Sequence, residues 1–299
     1  MIMTKKTFAF IMAGILILAG LTLITNQRLP RQNDDRKISI VTSFYPLYFF
    51  TSQIATGAAE IYNLTPNGVE PHDYELTPKD MAKIYDSELL IINGSGVEPW
   101  AQKTELNLKD RPNKILTVGD NLIVNGDPHI WLSPKLAQME VQKITAALIA
   151  IDRTNTQLYQ NNSQTLQKKL ENLDQQYQTE LSRCTKKNII TSHDAFGYLA
   201  NDYHLNQISI AGLSPEVEPS AQRLAEIADY AKKNQVQYIF FESLVSPKLA
   251  QTIAREIGAK TLVLNPIEGL NDEEITSGQD YFTKMQQNLT NLKVALTCQ

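Results

Sequence analysis

The sequence is poor in the residues from which most protein metal sites and disulfide frameworks are built. It has only four histidines and two cysteines among 299 residues. It contains no H-E-x-x-H pattern, so the helix of a zinc metalloprotease is not indicated. The net charge is −4, and a chain of this balance does not suggest a nucleic acid as partner. A function that uses several histidines therefore uses nearly all of them.

Residues 8–24 are apolar except for Thr22, and they follow Lys5 and Lys6. The run is at the short end for a membrane span and long for a signal-peptide core, and no A-x-A cleavage site follows it. We interpret residues 1–27 as an uncleaved signal anchor, with the lysines on the cytoplasmic side, and residues 28–36 as a polar tether. A cleaved signal peptide is the alternative, and a lipid anchor is not expected because no cysteine lies nearby. In each case the rest of the chain is extracytoplasmic: anchored to the cell membrane, or secreted or periplasmic.

Cys184 and Cys298 form an even pair in a chain that is expected to be exported. Such pairs are disulfide candidates. The bond would join the C-terminus to the start of the second half of the chain. Two free buried thiols are the alternative.

Short apolar segments alternate with helix-like segments in both halves of the chain. Residues 37–42, 61–65, 88–93 and 114–118 read as strands in the first half, and residues 187–192, 207–211, 236–242 and 260–264 in the second. This alternation is typical of the α/β class, with mainly parallel sheets and flanking helices.

The stretch between the halves has a different pattern. Residues 156–183 contain no glycine or proline, and their leucines and tyrosines recur at spacings of three and four, which predicts one long, rigid helix. We therefore expect an N-terminal lobe at residues 37–153, a linking helix at 154–184 and a C-terminal lobe at 185–299.

Three of the four histidines follow predicted strands. His72 lies in a bend after a strand, and His129 and His193 occupy similar positions, while carboxylates near residues 265–268 follow the last strand. In open parallel sheets, binding sites collect at the carboxyl ends of the strands. Imidazoles with one carboxylate suit Zn(II) better than Mn(II) or Fe(II). The wide sequence spacing is unlike a zinc finger, whose ligands come in close pairs.

These segments resemble the substrate-binding proteins of ABC transporters that import zinc and manganese. The resemblance covers residues 37–297 and rests on motifs in the same order: G-V-E-P-H-D-Y-E-L-T-P at 68–78, D-P-H-I-W-L-S-P at 127–134, S-H-D-A-F-G-Y at 192–198, S-P-E-V-E-P-S at 214–220, Phe241-Glu242, and Tyr281 with Met285 and Asn288. It implies two α/β lobes joined by a rigid helix, with the metal in the cleft between them.

The resemblance also implies the ligands. Its first three ligand positions fall on His72, His129 and His193, and histidine at the third position favours zinc over manganese. At the fourth position the family often has aspartate, but this chain has Asn265, which is neutral and a weak ligand. Glu268 lies three residues further on in a loop of the same type, and the resemblance to a zinc-binding branch of the family, which has a glutamate there, implies that Glu268 is the fourth ligand.

Other polar residues near these positions have supporting roles in this interpretation. Asn265 is expected to hold its loop or to contact a ligand. Glu242 is the alternative fourth ligand, although we expect it to support a ligand or cap a helix. Ligating imidazoles usually donate their second N–H to an acceptor, and acidic residues flank each histidine: Glu70, Asp73, Asp127 and Asp194. Trp131 is expected to pack and to shield the site.

The expected function is the capture of extracytoplasmic Zn(II) and its delivery to the permease of an ABC importer. Four protein ligands fill a tetrahedral zinc and leave no position for water, so we do not expect an enzyme. The protein is expected to act as a monomer. The alternatives are a zinc-dependent hydrolase with three histidines and Glu242 as general base, binding of manganese or iron rather than zinc, and a surface adhesin.

Overall fold

The computed structural model describes residues 37–110, 114–215 and 218–299. The expected anchor and tether, at residues 1–27 and 28–36, lie outside this range. Within it, no helix has both the length and the apolar character that crossing a bilayer needs. Ile38–Gln299 form one compact unit.

Two parallel four-stranded sheets organise this unit. The first contains β1 (Ile38–Thr42), β2 (Ala59–Asn63), β3 (Leu89–Ile92) and β4 (Ile115–Thr117) in the order β2-β1-β3-β4. The second contains β5 (Asn188–Thr191), β6 (Asn206–Ser209), β7 (Tyr238–Phe241) and β8 (Lys260–Val263) in the order β6-β5-β7-β8. The predicted α/β class with mainly parallel sheets is confirmed.

Helices connect the strands and cover the sheets. The α-helices of the first part of the chain are α1 (Tyr45–Ala55), α2 (Pro78–Asp86), α3 (Ala101–Asn107), α4 (Pro134–Ile151) and the long α5 (Thr156–Ser182). Those of the second part are α6 (Gly197–Asp202), α7 (Ala221–Lys233), α8 (Lys248–Ile257), α9 (Asp272–Thr276) and α10 (Tyr281–Leu296). We call the chain before α5 the first half and the chain after it the second half. All four residues of β3 are buried, as expected for a parallel strand covered on both faces.

Helix α5 has 27 residues and is therefore about 40 Å long at 1.5 Å per residue. Its apolar stripe is buried: Tyr159, Leu166, Leu170, Leu173, Tyr177 and Leu181. The helix packs against α1 and α4 of the first half and against α10 of the second. One hydrophobic core extends from Ile40 to Leu296 through this stripe. Buried side chains of both halves therefore belong to a single core that includes the long helix.

A disulfide joins the C-terminus of the chain to the end of α5. Cys184 follows α5 and Cys298 follows α10, and the two cysteines form a disulfide. The backbones of the two residues also pair as an antiparallel bridge. The predicted disulfide is therefore present, and it fastens the C-terminal helix to the long helix.

Candidate metal centre

Loops at the carboxyl ends of four strands bring together His72, His129, His193 and Glu268. One donor atom from each of these residues lies within 4.8 Å of the others. His129, His193 and Glu268 are buried, and the His72 side chain is 6% exposed. The chain thus converges on one point with three imidazoles and one carboxylate.

The turn that carries His72 is fixed by local sequence. A 3₁₀ turn, Pro71–Asp73, holds the histidine, and α2 begins shortly afterwards. Thr77 and Asp80 form a capping box, in which Thr77 Oγ1 accepts from Asp80 N at 3.2 Å and Asp80 Oδ2 accepts from Thr77 N at 2.9 Å. Such a box satisfies two otherwise unpaired N–H groups at a helix start, so the chain after His72 has a defined direction.

Four of the six separations between the donor atoms match the edges of a tetrahedral zinc site. Glu268 Oε1 lies 3.5 Å from His72 Nε2, 3.3 Å from His129 Nε2 and 3.5 Å from His193 Nε2. The Nε2 atoms of His129 and His193 are 3.3 Å apart. Around a zinc ion with ligands at about 2.0–2.1 Å, the edges of the coordination tetrahedron are about 3.3 Å long.

Two carboxylates outside this group orient the rings. Asp127 Oδ1 lies 2.7 Å from His129 Nδ1, and Glu242 Oε1 lies 2.7 Å from His193 Nδ1. Because a carboxylate accepts, each Nδ1 donates, and Nε2 of a neutral ring then presents a lone pair to the centre. Within the described residues, both Glu268 oxygens and His72 Nε2 are buried without a hydrogen-bond partner. Buried polar atoms rarely lack a partner, so these atoms are suited to a cation.

The electrostatics of the centre favour a bound cation. Burial lowers the pKa of His129 and His193, but Asp127, Glu242 and Glu268 outweigh it, and the pKa of each ring is raised. Burial raises the pKa of Glu268, but the contacts of its carboxylate with the three histidines outweigh burial and hold that pKa well below its usual range. The ion-free centre therefore attracts protons, and a divalent cation would replace them.

Glu70 is a fourth acidic group at the centre, after Glu268, Asp127 and Glu242. Burial, followed by the charge of Glu268, raises the pKa of Glu70 to about 10. Its Oε1 accepts from the backbone N–H of His72 at 3.5 Å. Burial beside Glu268 thus favours the neutral form of Glu70.

The structure separates the remaining candidates. Glu242 contacts the Nδ1 side of His193 and lies outside the converging group. Asn265 holds its own loop, since its Nδ2 donates to Ser243 Oγ and its Oδ1 accepts from Ile267 N, both at 2.7 Å. The acceptor for the His193 ring is Glu242 rather than the adjacent Asp194. The backbone N–H of Asp194 donates to Gly212 O.

Sequence reasoning missed the residues that support the His129 loop. Asn93 Nδ2 donates to Pro128 O at 3.0 Å. Buried Glu98 in turn accepts from the backbone N–H groups of Asn93 and Gly94, at 2.7 and 3.0 Å. A glutamate beside the G-S-G turn was the only visible signal, and its partners are known only once the loop is folded.

Comparison with known proteins gives a consistent result. The family model described as "Zinc-uptake complex component A periplasmic" (ZnuA) matches residues 40–295. The chain is 40% identical to the "High-affinity zinc uptake system protein ZnuA" of Bacillus subtilis (strain 168), with 98% of each chain covered. It is also 40% identical to the "Zinc-binding lipoprotein AdcA" of Streptococcus pneumoniae (strain ATCC BAA-255 / R6), covering 87% of this chain but only 56% of AdcA. The crystal structure of the Zn(II)-bound ZnuA-like domain of S. pneumoniae AdcA is similar at a TM-score of 0.78 and 41% identity, covering 87% of this chain and 99% of that domain.

Proposed function

The chain belongs to the ZnuA family of zinc-uptake proteins, and we propose that it captures Zn(II) outside the cytoplasm and delivers it to the permease of an ABC importer. The observation that carries the proposal is the buried convergence of four donor atoms, with four of their six separations at the edge length of a zinc tetrahedron. The proposed ligands are His72, His129, His193 and Glu268. Three neutral imidazoles, one carboxylate and Zn(II) leave a local charge of +1.

The donor set supports binding rather than catalysis. Catalytic zinc sites keep one position open for water, whereas four protein ligands close the tetrahedron. A hydrolase would need Glu242 as general base, but its Oε1 accepts from Nδ1 of His193, on the opposite side of the ring from Nε2. Three nitrogen donors also favour zinc over manganese and iron.

The finer parts of the proposal concern attachment and organisation. Residues 1–27 would anchor the protein to the cell membrane, and it would act as a monomer. The lobes at residues 37–153 and 185–299 would each contribute two ligands. A bound ion would therefore connect the two lobes, so that the permease can distinguish loaded protein from empty protein.

The test is metal content after expression in a mixture of zinc, manganese and iron salts. We expect about one zinc per wild-type chain and strongly reduced zinc in Glu268→Ala. Glu273→Ala is the matched control, because this glutamate is exposed on the neighbouring helix α9. Manganese or iron in preference to zinc in the wild type would refute the zinc assignment. Undiminished zinc in Glu268→Ala would remove Glu268 from the ligand set.

A further inference from the structure

The loop that carries Glu268, residues 264–271, is pinned from its own half of the molecule. Asn265 N donates to Asn288 Oδ1 at 2.8 Å, and Asn288 Nδ2 donates back to Asn265 O at 2.7 Å. The Asn265 side chain then accepts from the N–H of Ile267 at 2.7 Å. Helix α10, which carries Asn288, thus fixes the start of the loop.

The residue before the proposed ligand has a strained backbone. Ile267 has a φ of 60°, although it is branched at Cβ and fully buried. The left-handed region is unfavourable for such a residue, and strain of this kind persists only where surrounding contacts over-determine the conformation. The position of Glu268 therefore depends on contacts that hold the loop, not on the loop's own preference.

Trp131 supplies such a contact from the first half. Its indole Nε1 donates to Pro266 O at 2.7 Å, immediately before the strained residue. Its backbone oxygen accepts from Tyr281 Oη of α10 at 2.6 Å. The side chain is fully buried and its ring packs edge-on against Phe44, with centroids 4.8 Å apart.

The same residue is coupled to the second proposed ligand. Trp131 lies two positions after His129, and the two ring centroids are 5.3 Å apart. A single rigid side chain thus spans from the turn of one ligand to the loop of another. Packing against Phe44 alone would require only the ring, whereas the bond to Pro266 O requires the indole N–H.

We propose that Trp131 is a positioning residue for the metal centre, which holds the Glu268 loop against the His129 turn so that the fourth ligand is in place before the ion arrives. The inference rests on the proposed zinc site. It assigns to Trp131 no contact with the ion. Its effect on binding passes through Glu268.

The first test compares Trp131→Phe with Trp100→Phe. The first change removes the indole N–H and keeps an aromatic ring in the core, and the second alters a half-buried tryptophan on the start of α3. Zinc affinity is measured by competition with a chromogenic chelator. We expect Trp131→Phe to bind zinc about 10- to 100-fold more weakly, as is usual when support for a ligand is lost, and Trp100→Phe to match the wild type. A zinc affinity of Trp131→Phe equal to those of Trp100→Phe and the wild type would overturn the inference.

A thermodynamic cycle with Glu268→Ala separates positioning from general damage. If Trp131 acts through Glu268, adding Trp131→Phe to Glu268→Ala should cost less than about threefold in zinc affinity. A loss in the double variant equal to the product of the single losses would refute that route. Failure of the wild type itself to bind zinc would contradict the proposed function instead, so the two failures are distinguishable.

Two further tests use the absorption spectrum of the Co(II)-loaded protein and the milder variant Tyr281→Phe. In the Co(II)-loaded protein, Trp131→Phe should shift the visible absorption towards that of Glu268→Ala, whereas a merely structural role would lower the melting temperature and leave the spectrum unchanged.

Tyr281→Phe removes only the hydroxyl that donates to the Trp131 carbonyl, and it serves as the test if Trp131→Phe does not fold. We expect Tyr281→Phe to weaken zinc binding in the wild-type background and to have little further effect when it is added to Glu268→Ala. Unchanged affinity in a folded Tyr281→Phe would then count against the inference.

Discussion

A buried carboxyl group on α4 should make the stability of this protein depend on pH. Glu140 is fully buried, and neither of its oxygens has a hydrogen-bond partner among the described residues. Burial raises its pKa from 4.5 to about 8, and Lys143 opposes the shift only in part. Because an unpaired carboxylate is disfavoured in the interior, Glu140 is mainly protonated at pH 7.

The sign of the effect follows from linkage. The folded state binds this proton more tightly than the unfolded state, so the stabilisation is complete below about pH 4.5 and is lost as the pH rises to about 8. Each rise of one pH unit inside this window lowers the free energy of unfolding by about 1.4 kcal/mol. Since the slope flattens near the folded pKa, the wild type should lose about 2 kcal/mol relative to Glu140→Gln between pH 6 and pH 8.

Urea unfolding at several pH values measures this difference directly. A zinc chelator is present, so that ion binding does not contribute, and the other titrating groups cancel between the two proteins. Glu171→Gln, at an exposed position on α5, is the control and should track the wild type. A constant difference between wild type and Glu140→Gln from pH 6 to pH 8 would refute the reasoning.

Three further predictions concern the centre and the disulfide. Asp127→Ala and Glu242→Ala should each weaken zinc binding about 10- to 100-fold in a chelator competition assay, because the rings lose their acceptors; unchanged affinity would show that the carboxylates do not orient them. Zinc affinity should fall as the pH is lowered from 8 to 6, because protons compete for rings such as His193, whose pKa is raised well above its ordinary value; a flat profile over that range would contradict this. Reduction of the Cys184–Cys298 bond, which closes a separation of 114 residues, should lower the unfolding free energy by about 4–5 kcal/mol; denaturation curves that coincide with and without reductant would disprove it.

The regular elements were predictable where local physics determines them. The apolar runs became parallel strands because buried strands need apolar side chains on both faces. The start of α2 is local in the same way, because its capping box joins residues only three positions apart. Helices α3 and α9 were missed, since they have only seven and five residues and are too short to show a helical period.

The candidate centre was predictable in composition and less so in arrangement. Resemblance and spacing pointed to His72, His129, His193 and Glu268, which the structure brings together. Sequence alone left several flanking acids as possible partners of the histidines. The choice of Glu242 depends on the neighbouring strand β7, because Glu242 follows that strand and lies 49 residues from His193 along the chain.

The sequence by itself determined the supply of donors, the order of strands and helices, and the stiffness of the linking helix, because these depend on residue type and on neighbours within a few positions. Only the tertiary structure decided which carboxylates orient the imidazoles, that Glu70 is buried beside Glu268, and that Trp131 reaches the Glu268 loop. Those properties arise from burial and from contacts between distant segments, such as the bond from Trp131 to Pro266, which spans 135 residues. A separation of that kind leaves no local pattern in the chain.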